Sequence, residues 1–178
     1  MNEEKKRLRL EIKFRLKELD EKDLEASNRR ISEKVLNSRE YRDSKCIFTY
    51  VGIGKEPDTK EIIRAALADG KTVLVPKCRK APEMDPIQIN SLSELRPGTM
   101  GIPEPVSDNA YSGTIDLIIV PCVTASKDGS RLGHGGGYYD RFLSLNKDSV
   151  SICLCHELLL TEKIPAEQWD IKADKTVW

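Results

Sequence analysis

The sequence predicts a single-domain α/β fold of Rossmann-like type, in which an open, mainly parallel sheet carries helices on both faces. A short apolar segment, an amphipathic segment and a second apolar segment follow one another closely within residues 46–75. Connections this short are typical of a βαβ unit, whose strands are parallel. The nearly continuous apolar run IDLIIV, residues 115–120, indicates a strand that is covered on both faces. A chain of 178 residues is long enough for one domain with its own core.

Two helices are predicted before the first strand. Residues 3–19 contain no proline or glycine, and their apolar side chains recur at helical spacing: Leu8, Ile12, Leu16 and Leu19. The cations of this segment, Lys5, Arg9 and Lys13, are four residues apart and therefore lie along one side of the helix. A second helix is predicted over residues 23–38, with three side chains facing inward: Leu24, Ile31 and Val35.

The predicted βαβ unit begins with CIFTYV, residues 46–51, which is short, apolar and rich in residues that favour strands. After a turn over residues 52–58, Asp58 or Thr59 can cap a helix that continues to residue 69. Gly70 then supplies the stop signal of that helix. Residues 72–75 form the second strand, which we expect Pro76 to end.

The rest of the chain is predicted to complete the sheet. Residues 115–120 are the strongest strand signal and should be central. A helix is predicted over residues 138–145, followed by a strand over residues 149–155. The proline-rich stretch 79–111 has few periodic apolar residues, so we expect a loop with one short strand near Ile87.

Composition limits the possible functions. The 29 basic residues balance 29 acidic ones, so no overall field favours nucleic acid or a membrane surface as a partner. The N-terminal segment has no apolar h-region and no later run is long enough to span a membrane. The five cysteines are odd in number and form no Cys-x-x-Cys pair, which is typical of reduced thiols. We therefore expect a cytoplasmic protein, and a monomer.

The most informative segment is DGSRLGHGGGYYDR, residues 128–141, which follows the strongest strand and opens into a helix. Ligands of open parallel sheets bind beyond the carboxyl ends of the strands, and a glycine loop before a helix presents free N–H groups to an anion. The glycine spacing matches neither a Walker A loop nor a dinucleotide fingerprint. A flexible turn is the alternative, but the Tyr, Asp and Arg residues that follow favour a phosphate site.

Charged residues elsewhere are candidates for the same site. Lys5 and Arg9 would bind phosphates if the first helix packed across the glycine loop, and are otherwise ordinary solvated cations. Asp140 and Asp170 are candidate ligands of Mg²⁺, although Asp140 also suits a helix N-terminus electrostatically. Glu56 follows the first strand, where a carboxylate could accept hydrogen bonds from the N–H groups of a ligand.

Four segments together resemble the 5-formyltetrahydrofolate cyclo-ligase family: RLGHGGGYYDR at residues 131–141, GIPEP at residues 101–105, the helix with Lys5 and Arg9, and DIKAD at residues 170–174. The resemblance spans essentially the whole chain. It implies Mg²⁺ at Asp140 and Asp170, and Lys5, Arg9 and Tyr138 as catalytic residues. It implies that ATP is bound by Lys5, Lys6, Arg7, Leu8, Arg9, Arg131, Leu132, Gly133, His134, Gly135, Gly136, Gly137, Tyr138 and Tyr139. It implies that folate lies near Val51, Glu56, His134, Gly135, Gly136, Gly137 and Tyr138.

The activity implied by this resemblance is the ATP-dependent conversion of 5-formyltetrahydrofolate to 5,10-methenyltetrahydrofolate, with release of ADP and phosphate through a phosphorylated formyl intermediate. Pro121-Cys122 and Ala125-Ser126 depart from the residues usual in the family, which leaves open the shape of the folate side. Two other functions stay open at this point. One is a nucleotide- or phosphosugar-binding α/β enzyme, such as an isomerase or a coenzyme A transferase-like domain. The other is a non-catalytic folate- or nucleotide-binding module.

Overall fold

The computed structural model describes residues 2–80, 82–98 and 101–178, which form five α-helices and ten strands within those ranges. The helices are α1 Glu3–Glu18, α2 Glu21–Leu36, α3 Arg39–Asp43, α4 Lys60–Ala68 and α5 Tyr138–Leu145. The strands are β1 Cys46–Thr49, β2 Thr72–Cys78, β3 Met84–Ile89, β4 Leu95–Pro97, β5 Pro103–Pro105, β6 Leu117–Val120, β7 Thr124–Ala125, β8 Arg131–Leu132, β9 Val150–Leu154 and β10 Lys175–Val177.

The main sheet has six strands in the order β10-β9-β6-β1-β2-β3, and its β3 edge strand is antiparallel. The other four pairings are parallel, with Phe48 opposite both Leu74 and Ile118. β6 lies at the centre between β9 and β1, as its apolar sequence predicts. The predicted α/β fold with a mainly parallel sheet is therefore confirmed.

Helices cover both faces of this sheet. On one face α2, α3 and α4 bury residues such as Ile31, Tyr41 and Ile63 against the strands. On the other face α5 packs through Phe142, whose ring centroid is 4.2 Å from that of Phe48. α1 lies on this second side, where Ile12 is buried in a cluster with residues of β9 and of the segment after β6. Because successive side chains of a strand point to opposite faces, a strand covered on both sides is apolar throughout, as the central strand β6 is.

Both ends of α4 lie where the sequence predicts them, but the residue at the N-cap position is not the one whose side chain bonds to the first turn. Thr59 occupies the N-cap position, but its hydroxyl donates to the Tyr50 carbonyl at 2.6 Å. The Asp58 carboxylate instead accepts the Lys60 N–H at 3.0 Å. Gly70 adopts a φ of +71°, the left-handed conformation that glycine enters without strain, and so ends the helix as predicted.

Two predictions about the middle of the chain were wrong. β2 continues through Pro76 to Cys78, because Pro76 lies past the residues that pair with β1 and faces Pro86 of β3. Two facing prolines suit an antiparallel position where opposite residues exchange no hydrogen bonds. The stretch expected to be loop contains the predicted strand near Ile87, but it also contains a second pairing, β4 with β5.

No helix in the described ranges combines the length and apolarity that a membrane span requires.

Candidate functional site

The glycine loop lies beyond the carboxyl end of β6 and leads directly into α5. Gly137 is the N-cap of α5 with a φ of +70°, and no side chain of the described residues caps this helix end. The first backbone bond of the helix runs from the Arg141 N–H to the Gly137 carbonyl, at 3.1 Å. The N–H groups of the first turn therefore have no helical acceptor and point out of the helix end. This arrangement fits an anion such as phosphate.

α1 packs across this loop with its cationic side, which is the arrangement that the predicted role of Arg9 as a phosphate ligand requires. Arg9 Nε donates to the Gly133 carbonyl at 2.8 Å. A Cβ added to Gly135 would lie 3.5 Å from Arg9 Nη2, so the guanidinium sits directly beside the loop. Gly135 also has a φ of +105°, which disfavours any other residue there.

Lys5, one turn earlier on α1, is nearly buried and paired with two carboxylates. Its ammonium lies 2.8 Å from Glu167 Oε2 and also contacts Asp170 Oδ2. Burial lowers the pKa of Lys5, but the hydrogen bonds to Asp170 and Glu167 outweigh it and raise the pKa above its usual value. Lys5 therefore joins the start of α1 to the C-terminal segment and stays charged.

The residues between Lys5 and Arg9 differ in their access to a ligand. Lys6 and Arg7 are exposed, and Lys6 pairs with Glu3 on the same helix. The side chain of Leu8 is buried in the core, so it has no surface to offer to a nucleotide. Of the five α1 positions predicted to bind ATP, Arg9 contacts the glycine loop, and Lys5 lies at the C-terminal segment.

Arg131 and Asp140 form an ion pair at the base of the loop. Arg131 Nη2 is 2.8 Å from Asp140 Oδ1, and the Arg131 side chain is 4% exposed. Asp140 Oδ1 also accepts the Ile171 N–H at 3.1 Å. Within the described residues, Arg131 Nε has no hydrogen-bond partner. Leu132 beside it is buried in the α1 cluster. The pair joins β8, α5 and the C-terminal segment.

The two tyrosines of the motif are held differently. The Tyr138 ring packs over Gly136, where a Cβ would come within 2.8 Å of ring carbon Cδ2. Tyr139 is inserted toward the core, 6.3 Å from Phe48 between ring centroids. Its hydroxyl is buried and has no partner among the described residues, and burial raises the pKa of this phenol. An unpartnered buried donor is costly, but this hydroxyl faces the core and Tyr139 does not line the cavity described below, so its contact with ATP stays a prediction.

The two aspartates predicted to bind Mg²⁺ each already have a cationic partner, Arg131 for Asp140 and Lys5 for Asp170. The described ranges contain no cluster of three or more His, Cys, Asp or Glu side chains that could enclose a metal ion. Mg²⁺ usually takes one or two carboxylates together with phosphates and water, so the carboxylates fit a site that is completed by a nucleotide. Magnesium binding here stays a prediction.

A cavity of about 450 Å³ lies between α1 and the loop that follows β1. Its volume is in the usual range for a small-molecule site. Glu56 and His134 both line it, and His134 Nε2 is 3.2 Å from Glu56 Oε1. The other oxygen of Glu56 accepts the Ile53 N–H at 3.1 Å. A carboxylate has further lone pairs, so Glu56 can still accept hydrogen bonds from a ligand in the cavity.

The structure thus brings the predicted phosphate and folate residues to neighbouring places, since Arg9 lines the cavity and also contacts the glycine loop. Val51 is an exception. Its side chain is buried in the core beneath α4, because the chain turns away only after Gly52. Ile53 to Glu56, just after it, line the cavity, and the placement of Val51 at the folate site stays a prediction.

Sequence reasoning missed Lys55 and His156, which tie the cavity walls together. The Lys55 ammonium donates to the Leu16 and Leu19 carbonyls at 3.0 and 2.7 Å, at the end of α1. The Lys55 carbonyl lies 3.1 Å from His156 Nε2, which must therefore carry the proton. Burial lowers the pKa of His156 and favours this neutral form. Neither residue belongs to a motif, so the sequence carried no signal for them.

Comparison with known proteins gives a consistent result. The 5-formyltetrahydrofolate cyclo-ligase family matches residues 1–178. A 5-formyltetrahydrofolate cyclo-ligase of Mus musculus is 30% identical, covering 100% of this chain and 95% of that protein. A probable 5-formyltetrahydrofolate cyclo-ligase of Schizosaccharomyces pombe is 31% identical, covering 99% of this chain and 96% of that protein. The structure of Aquifex aeolicus 5,10-methenyltetrahydrofolate synthetase superposes with a TM-score of 0.84 at 28% identity, covering 97% of this chain and 88% of that one. The chain therefore belongs to the 5-formyltetrahydrofolate cyclo-ligase family.

Proposed function

We propose that this protein converts 5-formyltetrahydrofolate to 5,10-methenyltetrahydrofolate, with ATP as co-substrate. The observation that carries the proposal is the position of Arg9, which contacts the glycine loop and also lines the cavity. A phosphoryl group at the loop and a ligand in the cavity would therefore meet at one cation. Membership of the cyclo-ligase family supports the choice of folate as that ligand.

In the proposed complex the triphosphate lies at the N-terminus of α5. The first-turn N–H groups and the amides of Gly135, Gly136 and Gly137 face its oxygens, and Arg9 neutralises part of the charge. Lys5 keeps its carboxylate partners in position and adds a further positive charge. Asp140 and Asp170 would hold Mg²⁺ together with phosphate oxygens, and the ion would supply charge neutralisation there.

The folate occupies the cavity, with its pterin near Glu56 and its formyl group toward Arg9. Glu56 accepts hydrogen bonds from the pterin amino and ring N–H groups, while His134 and the Ile53 N–H orient the carboxylate. Tyr138 and Tyr139 border the loop and orient the reacting groups. Apolar side chains such as Ile12 and Leu16 form much of the remaining wall.

The reaction then needs two displacements. The formyl oxygen on N5 attacks the γ-phosphorus, and the bond from that phosphorus to the bridging oxygen breaks, so that ADP leaves. N10 next attacks the activated formyl carbon, loses its proton to water, and the carbon–oxygen bond breaks to release phosphate. The protein contributes positioning and charge stabilisation, so no separate general base is required.

The proposal is tested by the absorbance of the methenyl product in the near ultraviolet. Purified protein with 5-formyltetrahydrofolate, ATP and MgCl₂ is expected to form product and one ADP per product. Omission of ATP, or excess EDTA, should abolish the signal, and MgCl₂ added over EDTA should restore it. Full product formation without nucleotide would refute the assignment. Folate binding without turnover under all conditions would favour the non-catalytic binding module.

Replacing Glu56 by glutamine is expected to weaken folate binding while ATP binds normally. Glutamine keeps an acceptor for the Ile53 N–H, but it places a donor where the pterin N–H groups need an acceptor. The loss should be about 1–3 kcal/mol, or roughly 5- to 150-fold in the folate Kd. Isothermal titration of each ligand separately measures it, with Glu61→Gln on the exposed side of α4 as the matched control. A parental folate Kd in Glu56→Gln would show that the pterin lies elsewhere.

We also propose that the protein acts as a monomer in the cytoplasm. The balanced charge of 29 basic and 29 acidic residues gives no overall field that would draw the chain to a membrane surface or to nucleic acid. Light scattering of the purified protein at micromolar concentration tests whether it is a monomer. Localisation of a tagged chain in cells tests whether it is cytoplasmic.

A further inference from the structure

The wall that α1 contributes to the cavity carries a cation with no assigned role. Four α1 residues line the cavity at helical spacing: Arg9, Ile12, Lys13 and Leu16. Counted over the whole lining, three cations, Arg9, Lys13 and Lys55, face one carboxylate, Glu56. His156 is neutral, so the cavity favours a ligand that carries negative charge.

Lys13 differs from the other charged side chains of this lining in having no hydrogen-bond or ion-pair partner among the described residues. Arg9 binds the Gly133 carbonyl and Lys55 binds two carbonyls at the end of α1. Glu56 is bonded to Ile53 and His134. Lys13 makes no hydrogen bond and no ion pair with any residue in the ranges 2–80, 82–98 and 101–178, and its side chain is exposed. Its ammonium is thus free to meet an anion at the mouth of the cavity.

The chemistry of the proposed substrate supplies such an anion. The reacting end of 5-formyltetrahydrofolate must face Arg9 and the glycine loop, and the opposite end carries the carboxylates of one or more glutamates. Lys13 follows Arg9 by four residues, roughly 6 Å along the axis of α1. A folate whose formyl group lies at Arg9 and whose body follows this wall therefore passes Lys13 before it leaves the cavity.

We propose that Lys13 binds carboxylates of the glutamate tail and determines how strongly the enzyme prefers substrates that carry one. This inference rests on the proposed function, because it takes folate as the ligand of the cavity. The contact is made at the solvent-exposed rim, so it contributes to affinity and leaves the chemical step unchanged.

The test compares Lys13→Gln with the parent on three ligands: 5-formyltetrahydropteroate, which has no glutamate, and the mono- and triglutamate forms of 5-formyltetrahydrofolate. Glutamine retains helix propensity and removes only the charge. The Kd of the monoglutamate should rise about two- to fivefold, as for an exposed ion pair, and that of the triglutamate at least as much. The pteroate Kd and kcat should stay at parental values. Added salt should weaken the tail preference of the parent more than that of the variant.

Lys17→Gln is the matched control, since Lys17 is exposed on the same helix, lies outside the cavity lining and places its ammonium 5.5 Å from the Phe14 ring centroid. It should bind all three ligands as the parent does. An equal change of Kd for the pteroate and glutamate forms in Lys13→Gln, or no change in either, would overturn the inference. If neither protein turns over substrate but Lys13→Gln still raises the Kd of the glutamate forms and not that of the pteroate, the proposed reaction is refuted and the role of Lys13 is supported. If turnover is normal and Lys13→Gln does not change the Kd of the glutamate forms relative to the pteroate, only the proposed role of Lys13 is refuted.

Discussion

Replacing Asp140 by asparagine is expected to destabilise the protein by about 3 kcal/mol, which lowers Tm by roughly 6–12 °C for a chain of this size. Arg131 is almost fully buried and its one ion-pair partner in the described ranges is Asp140. Asparagine keeps an acceptor but removes the charge that compensates the buried guanidinium. Thermal and urea unfolding, followed by circular dichroism, measure the change in the free energy of unfolding.

Two further variants separate the ion pair from other effects. Asp148→Asn alters an exposed carboxylate just after α5 and should leave Tm unchanged. Arg131→Met combined with Asp140→Asn removes the uncompensated charge, so the double variant should be more stable than the sum of the single changes predicts. A parental Tm in Asp140→Asn would show that the pair adds no stability. If folded Asp140→Asn also keeps the parental dependence of turnover on MgCl₂, Asp140 is not a ligand of the metal.

Arg9→Ala is expected to weaken ATP binding about ten- to a hundredfold, a loss of about 1.5–3 kcal/mol. Its guanidinium lies beside Gly135 and is fixed by the bond from Nε to the Gly133 carbonyl. The Nη groups thus remain available for phosphate oxygens. The folate Kd measured without nucleotide should change less, because the pterin is proposed to bind at Glu56. Titration of ATP and of folate into the variant separately tests both statements.

Lys17→Ala serves as the control for a general loss of positive charge from α1 and should bind ATP normally. Arg9→Lys retains the charge but cannot donate two parallel hydrogen bonds, so an intermediate ATP affinity is expected. If the ATP Kd of Arg9→Ala equals that of the parent, Arg9 does not bind ATP and the cations of α1 are ordinary solvated side chains.

Local patterns in the sequence were sufficient for most of the fold. The helical spacing of Leu8, Ile12 and Leu16 predicted α1, and the apolar run around Ile118 predicted the central strand. The prediction failed at Pro76, where proline is normally a stop signal. Whether a proline breaks a strand depends on which residue faces it, and that pairing with β3 is not visible in the local sequence.

The candidate site was predictable to the extent that its residues stand in one motif. The glycine spacing and the helix after it indicated an anion site, and the structure places the free helix end there. The α1 cations carried no such signal, because an exposed row of lysine and arginine is usually only solvated. The sequence position of Val51 could not show that its side chain packs in the core while the residues after it line the cavity.

The sequence by itself determined the α/β class, the order of the main helices and strands, the glycine loop and the resemblance to a family, since each depends on residues close in the chain. The tertiary structure alone decided which distant residues meet: Arg9 with Gly133, Lys5 with Asp170, and Lys55 with both α1 and His156. These contacts join segments that are far apart in sequence. They form because the strands and helices pack to bury apolar surface, and the packing, not the local pattern, brings the polar groups together.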